Sequence, residues 1–294
     1  MDIEYKKSNW NNLKNSWWKI LVVSFLGSLF NTIVHGLLPS GTTTLPPSII
    51  VQQGLLPLAF LIYGFIYYAL LGCVFVLISS RLQGSNFIKG LKYGLFFGIL
   101  TIIVYLEPLP STVTFSVTNI LWMLADSIPY IVFGILMGIF LAKDNKKEDS
   151  IEIKSNKLLI LVIPAIFLIG RLLSYNIFHI YSSYSILPVN TIIWVLTLGL
   201  GISIMYYYLL RPGVLKSSPF STAILFGAMF GIYLFLFNFA YALIVNLKID
   251  GYIDFFIRAS IDVLFVSLGI FVYEYLLKIR IESSNIKEAE KDLN

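Results

Sequence analysis

Long apolar runs separated by short polar segments dominate the chain. Each run holds about 20 residues or more, the length that an α-helix needs to cross the hydrocarbon core of a bilayer. The runs are continuous and do not alternate at every second position, as the strands of a transmembrane barrel do. The pattern therefore predicts an all-α integral membrane protein with about eight transmembrane helices. The predicted spans are residues 18–38, 55–80, 87–107, 117–142, 158–180, 188–210, 220–246 and 253–278.

Two stretches depart from a simple span. The apolar stretch 48–80 is too long for one crossing, and Gly54 and Pro57 predict an interfacial piece that turns before the helix enters the membrane. Before the first span, residues 1–17 carry Trp10, Leu13 and Trp17 at helical spacing among lysines and asparagines. This spacing is typical of an amphipathic helix that lies in the membrane interface.

Composition agrees with lipid as the solvent. The chain is 57% hydrophobic and 13% charged, with a mean hydropathy of +0.83, whereas soluble domains carry about 25% charged residues. The net charge of +5 does not indicate nucleic-acid binding, because the basic residues flank apolar runs rather than forming one stripe. Cys73 is the single cysteine, so no intrachain disulfide or cysteine-based zinc site is expected. The sequence predicts no cofactor.

Lysine and arginine collect at alternate ends of the predicted spans. The loops 39–47 and 108–118 carry none, and only Arg171, Lys248 and Arg258 of the 21 basic residues lie away from the other ends. Cytoplasmic loops of membrane proteins hold an excess of Lys and Arg. The sequence therefore predicts a multi-pass protein of the cell membrane with both termini in the cytoplasm and an even number of spans.

The chain divides into two related halves. A polar linker, 143–157, separates a first half, 18–142, from a second half, 158–280, which a cytoplasmic tail, 281–294, follows. The third and seventh spans share the pattern aromatic-Gly-x-x-Phe-Gly-Ile at 93–99 and 226–232. Because each half has an even number of spans, a duplication would produce two parallel four-helix repeats related by an axis along the membrane normal.

Six ionisable side chains inside or at the ends of the spans are the candidate solute-binding residues. Counted from the nearest lysine at the basic end, most of them lie roughly 14–17 residues along their helices, about 21–26 Å at 1.5 Å per residue. They therefore share one layer towards the lysine-poor end, where opposite charges should pair because an unpaired charge is costly in lipid. The six are His35, Glu107, Asp126, Arg171, Arg258 and Asp262.

Three function classes fit these features. The favoured one is a permease or membrane-embedded binding subunit for a small polar solute, because the polar layer is roughly charge-balanced and two repeats are predicted. A structural or immunity-type membrane protein without a solute is the second. An intramembrane enzyme acting on a lipid is the third, with Asp126 or Asp262 as acid or base and Arg171 holding an anionic head group. The sequence has no His-Glu-x-x-His zinc helix and no Gly-x-Ser-x-Gly elbow, so an enzyme is disfavoured.

The charge asymmetry makes a prediction about orientation. In a Cys73→Ser background, Ser150→Cys in the basic linker should react with a membrane-impermeant maleimide only after the membrane is opened. Thr43→Cys, in a loop without basic residues, should react on intact cells. The reverse pattern, or labelling of both positions from outside, would contradict the predicted topology.

Overall fold

The computed structural model describes residues 2–38, 46–80, 82–108, 117–142, 160–209 and 218–292, and the predicted linker 143–157 lies outside these ranges. The described chain is helical, and its only β-type contact is an isolated antiparallel bridge between Pro47 and Val245. The helices are α1 Asp2–Gly36, α2 Ile49–Gln52, α3 Leu56–Ile78, α4 Asn86–Tyr105, α5 Val117–Leu141, α6 Val162–Asn176, α7 Pro188–Leu209, α8 Pro219–Ala240 and α9 Ile249–Asp292, with a short 3-10 turn at Tyr241–Leu243.

Seven of these helices are long and apolar enough to cross a membrane. The predicted class, a multi-pass helical membrane protein, is thereby confirmed. The remaining predicted span, the fifth at 158–180, corresponds to α6, which has 15 residues and is the short apolar helix of the set. It ends at Asn176 rather than at 180 because the chain turns there: the Asn176 side chain donates to the Leu172 carbonyl, and His179 has a φ of 49°.

The predicted break before the second span is confirmed. Ser48 caps α2 by accepting a hydrogen bond from the Val51 amide, and α2 ends after four residues. Gly54 then takes a φ of +71°, a left-handed conformation that favours glycine, and α3 begins at Leu56 with a proline in its first turn. At the N-terminus, by contrast, the interfacial segment and the first span form one continuous helix, Asp2–Gly36.

The two halves of the bundle have the same pattern of helix neighbours. In the first half, α1 packs on α3 and α5, and α4 packs on α5. In the second half, α6 packs on α7 and α9, and α8 packs on α9. The halves meet where α3 contacts α8 and α4 contacts α7. Exchanging the first four membrane helices with the last four leaves this pattern unchanged, as two parallel repeats require.

Glycine contacts repeat with the same correspondence. A methyl group on Gly98 would lie 3.1 Å from the Ser127 carbonyl oxygen, and one on Gly231 would lie 3.3 Å from Val263. At another repeated contact, the large and small partners are exchanged. Gly27 of α1 faces the Phe133 ring of α5, whereas Ile163 of α6 faces Gly269 of α9. The large side chain is on the last helix in the first half and on the first helix in the second half, so the combined volume of the two side chains at this crossing is similar.

Helices α4 and α5 approach each other closely through glycines of both helices. Added methyl groups on Gly90 and Gly134 would fall against backbone atoms of the facing helix, 2.6 Å from Gly138 Cα and 2.6 Å from Gly94 Cα respectively. Neither backbone can move aside as a flexible side chain would. Glycine is therefore needed at these positions for the two backbones to pack.

We expect Gly90→Ala to destabilise the bundle by about 1–3 kcal/mol, the usual cost of overpacking. The measurement is the free energy of unfolding in mixed micelles titrated with sodium dodecyl sulfate. Gly36→Ala is the matched control, because an added methyl group there meets no atom within 4 Å. Equal effects of the two substitutions would contradict the close α4–α5 contact.

Candidate functional site

The six predicted residues form two clusters of opposite charges towards the lysine-poor end of the bundle. His35 of α1 and Asp126 of α5 form the first cluster. Arg171 of α6 and Asp262 of α9 belong to the second. The remaining two residues, Glu107 just after α4 and Arg258 of α9, complete that second cluster.

In the first cluster, both imidazole nitrogens of His35 have partners. Nε2 lies 2.9 Å from Asp126 Oδ1, and Nδ1 lies 2.9 Å from the Asn31 carbonyl oxygen one turn earlier. The other oxygen of Asp126 accepts a hydrogen bond from the Tyr105 hydroxyl. The ring of His35 is held at 5.4 Å from both the Phe60 and the Trp122 rings. The carboxylate thereby joins helices α1, α4 and α5.

In the second cluster, Arg171 and Asp262 form the most buried ion pair. Arg171 Nη2 donates to Asp262 Oδ2 at 2.6 Å, and the two side chains are 3% and 1% exposed. The Arg171 guanidinium also lies 5.6 Å from the Phe167 ring centre and 5.1 Å from that of Trp194. Aromatic faces stabilise a guanidinium in this position. The pairing of Arg171 with a carboxylate of another helix is confirmed, and its partner is Asp262.

Glu107 connects the two halves. It belongs to the first half, and its two carboxylate oxygens accept hydrogen bonds of 2.9 and 3.0 Å from Arg258 Nη1 of the second half. Arg171 Nη1 lies 3.9 Å from the same carboxylate. One glutamate of the first half therefore faces two arginines of the second.

Arg258 also organises the loop that follows α6. Its Nη2 donates to the Tyr181 carbonyl and lies 3.7 Å from Asp254, one turn earlier on α9. The Tyr181 amide in turn donates to Asp254 Oδ1 at 2.7 Å. Asp254, Arg258 and Asp262 lie one turn apart on the last helix, and their contacts fix this loop as well as pairing charges.

The main ion pair of each cluster occupies an equivalent position in its half. The partners in His35–Asp126 and in Arg171–Asp262 are both 91 residues apart. The first pair joins the first and last membrane helices of the first half, and the second pair does the same in the second half. Histidine in one half thus stands where arginine stands in the other.

Sequence reasoning missed the aromatic groups of the site. Tyr105 supplies a hydrogen bond to Asp126, and Trp194 packs on Arg171 while donating from Nε1 to the Ile103 carbonyl at 2.7 Å. Aromatic residues are so frequent in this chain, with 18 Tyr and 5 Trp, that their type alone did not single them out. The one signal that could have indicated Tyr105 was its position two residues before Glu107, a predicted site residue.

Four polar atoms of the second cluster have unused hydrogen-bonding capacity. Within the described residues, Asp262 Oδ1, Arg258 Nε and the Nε and Nη1 atoms of Arg171 are buried and have no hydrogen-bond partner, and the same holds for Asn238 Nδ2 on α8. The cluster therefore retains one anionic acceptor and three cationic donors that no hydrogen bond within it uses. No group of three or more His, Cys, Asp and Glu side chains suited to a metal ion occurs within the described ranges.

Comparisons of the chain with protein-family models, with curated proteins and with solved structures found no match.

Removing the charge of Glu107 should be costly. We expect Glu107→Gln to reduce the free energy of unfolding by about 3–5 kcal/mol, as when one partner of a buried pair is removed, because two arginines lose their shared carboxylate. Asp254→Asn is the matched control: this residue is more exposed, and Asn retains an oxygen for the Tyr181 amide, so a loss within about 1 kcal/mol is expected. Similar losses for both variants would contradict the role of Glu107 as the link between the halves.

Proposed function

We propose that this multi-pass protein is a permease or membrane-embedded binding subunit for a small polar solute in the cell membrane. Its lysine-rich end and both termini face the cytoplasm in this proposal, so the charged clusters lie in the outer half of the membrane. The observation that carries the proposal is the second cluster. In it, Glu107 of the first half meets charges of both signs from the second half, and some of their polar atoms have no hydrogen-bond partner.

The arrangement of the halves supports movement between two states. Parallel repeats that meet along two helix pairs, here α3 with α8 and α4 with α7, are able to rock against each other and expose a site to either side of the membrane. Glu107 crosses that boundary and holds the outer ends of the halves together through Arg258. In this proposal the structure corresponds to the state that is closed towards the outside, and opening separates Glu107 from the arginines.

The chemistry of the cluster favours a zwitterionic solute. An ammonium group would find an acceptor in Asp262 Oδ1, and a carboxylate would find donors on Arg171 and Arg258. A solute with both groups leaves the total charge of the cluster unchanged. A bare ion would instead leave one sign uncompensated in a low-dielectric environment.

One observation favours the second candidate, a structural or immunity-type protein without a solute. The ion pairs are direct, with distances of 2.6 Å for Arg171–Asp262 and 2.9 Å for Arg258–Glu107. Direct ion pairs of this kind are also explained by a structural role alone, in which they link helices. On this account, locking the halves together would have no effect on solute flux, because no flux exists.

The deciding experiment locks the outer ends of the halves with a disulfide. Pro47 before α3 and Val245 after α8 face each other in the antiparallel bridge, so Pro47→Cys with Val245→Cys, in a Cys73→Ser background, places two thiols opposite each other. Proteoliposomes with the purified protein are tested for uptake of labelled amino acids and betaine. We expect uptake that stops on oxidation and returns with a reducing agent.

The two single-cysteine variants are the controls, and oxidation should leave their uptake unchanged. Absence of uptake of every probe by the reduced protein, or uptake that continues in the fully cross-linked protein, would overturn the proposed permease.

A further inference from the structure

The proton content of the first cluster follows from its hydrogen bonds. A backbone carbonyl only accepts, so the His35 Nδ1 that lies 2.9 Å from the Asn31 carbonyl oxygen must carry a hydrogen. The second nitrogen, Nε2, lies 2.9 Å from Asp126 Oδ1. Two atoms without a hydrogen between them would direct lone pairs at each other at this distance. One proton therefore lies between Nε2 and Oδ1.

We propose that the His35–Asp126 pair is a site for one exchangeable proton, and that the fixed charge of Arg171 takes the place of this proton in the equivalent pair of the second half. With the proton bound, the pair is an imidazolium facing a carboxylate and has no net charge. When the proton leaves and Nδ1 keeps its hydrogen bond to the Asn31 carbonyl, neutral His35 faces a negatively charged Asp126, and the hydrogen bond between α1 and α5 is lost. The Arg171–Asp262 link persists, because a guanidinium does not release its proton.

The surroundings of the pair suit proton exchange. The side chains of His35 and Asp126 are 10% and 22% exposed, so the pair is less enclosed than Arg171–Asp262. Apart from His35, the titratable groups that face Asp126 from other helices are hydroxyls, which stay protonated near neutral pH. They are Tyr68 of α3, Tyr105 of α4 and Tyr233 of α8. From α3, whose sequence contains no charged residue, the ring of Phe60 stacks on His35.

This inference extends the proposed function, on which its last step rests: in a permease, the proton would be the coupling ion. Release of the proton loosens the first half while the second half stays linked. Solute movement would then depend on a proton gradient, and the protonated and deprotonated protein would differ in the packing of α1 on α5.

The structure contains a reporter for this proton. The Trp122 ring lies 5.4 Å from the His35 ring, and an imidazolium quenches indole fluorescence more strongly than neutral imidazole does. Purified protein in lipid nanodiscs is titrated between roughly pH 5 and 8, where histidine changes charge. We expect a loss of emission on acidification that follows a single proton, and Trp122→Phe should abolish this transition.

Substitutions at His35 separate the proposed proton from other pH effects. His35→Gln removes the titrating group, and His35→Arg copies the fixed cation of the second half, so both variants should show emission that is constant with pH. His179→Asn, at the exposed second histidine of the chain, should leave the transition unchanged. Constant emission in the unmodified protein, or a transition that persists in both His35 variants, would overturn the proposal.

This test is independent of solute. A titrating His35 in a protein that transports none of the probes would support the proton site and refute the permease. A protein that transports a probe with no titration at His35 would support the permease and refute the proton site.

Discussion

A charged side chain within a bilayer is costly unless it is paired with an opposite charge. This requirement determines how the helices pack at the lysine-poor end of the bundle. Asp126 and Asp262, from equivalent helices, are each paired with a basic side chain from the first helix of the same half. Glu107 and Arg258 extend the pairing across the boundary between the halves. The helices there are joined by charge pairs, while the close approach of α4 and α5 depends on glycine. The two kinds of contact act in different parts of the bundle.

The two halves have the same pattern of helix neighbours, but different residue types occupy several equivalent positions. Histidine in one half corresponds to arginine in the other, and a glycine–phenylalanine contact corresponds to an isoleucine–glycine contact. The link through Glu107 has no counterpart, because Ala240 occupies the corresponding position on α8. A symmetric framework therefore contains a charge link between the halves at Glu107 and one pair whose charge depends on a proton.

The fold was largely predictable because lipid imposes a strong and simple pattern. Apolar run length located the helices, and Gly54 and Pro57 identified the break before the second span. The shortness of α6 was not predictable, since the apolar run continues past Asn176 and only the turn at His179 interrupts the helix. For the site, depth along each helix grouped the right residues. Depth could not assign the partners, because pairing depends on how each helix is rotated and on which helices are its neighbours. The pairing of Glu107 with Arg258 of the other half is an example.

The most direct test of the account is the coupling free energy between Glu107 and Arg258, measured by a double-mutant cycle with Glu107→Gln, Arg258→Gln and the double variant. Residues in one buried charge network couple by about 0.5–3 kcal/mol. The account predicts coupling in that range, with the double substitution less destabilising than the sum of the two single ones. Additive losses would show that no charge pair joins the two halves at this point and would contradict the account.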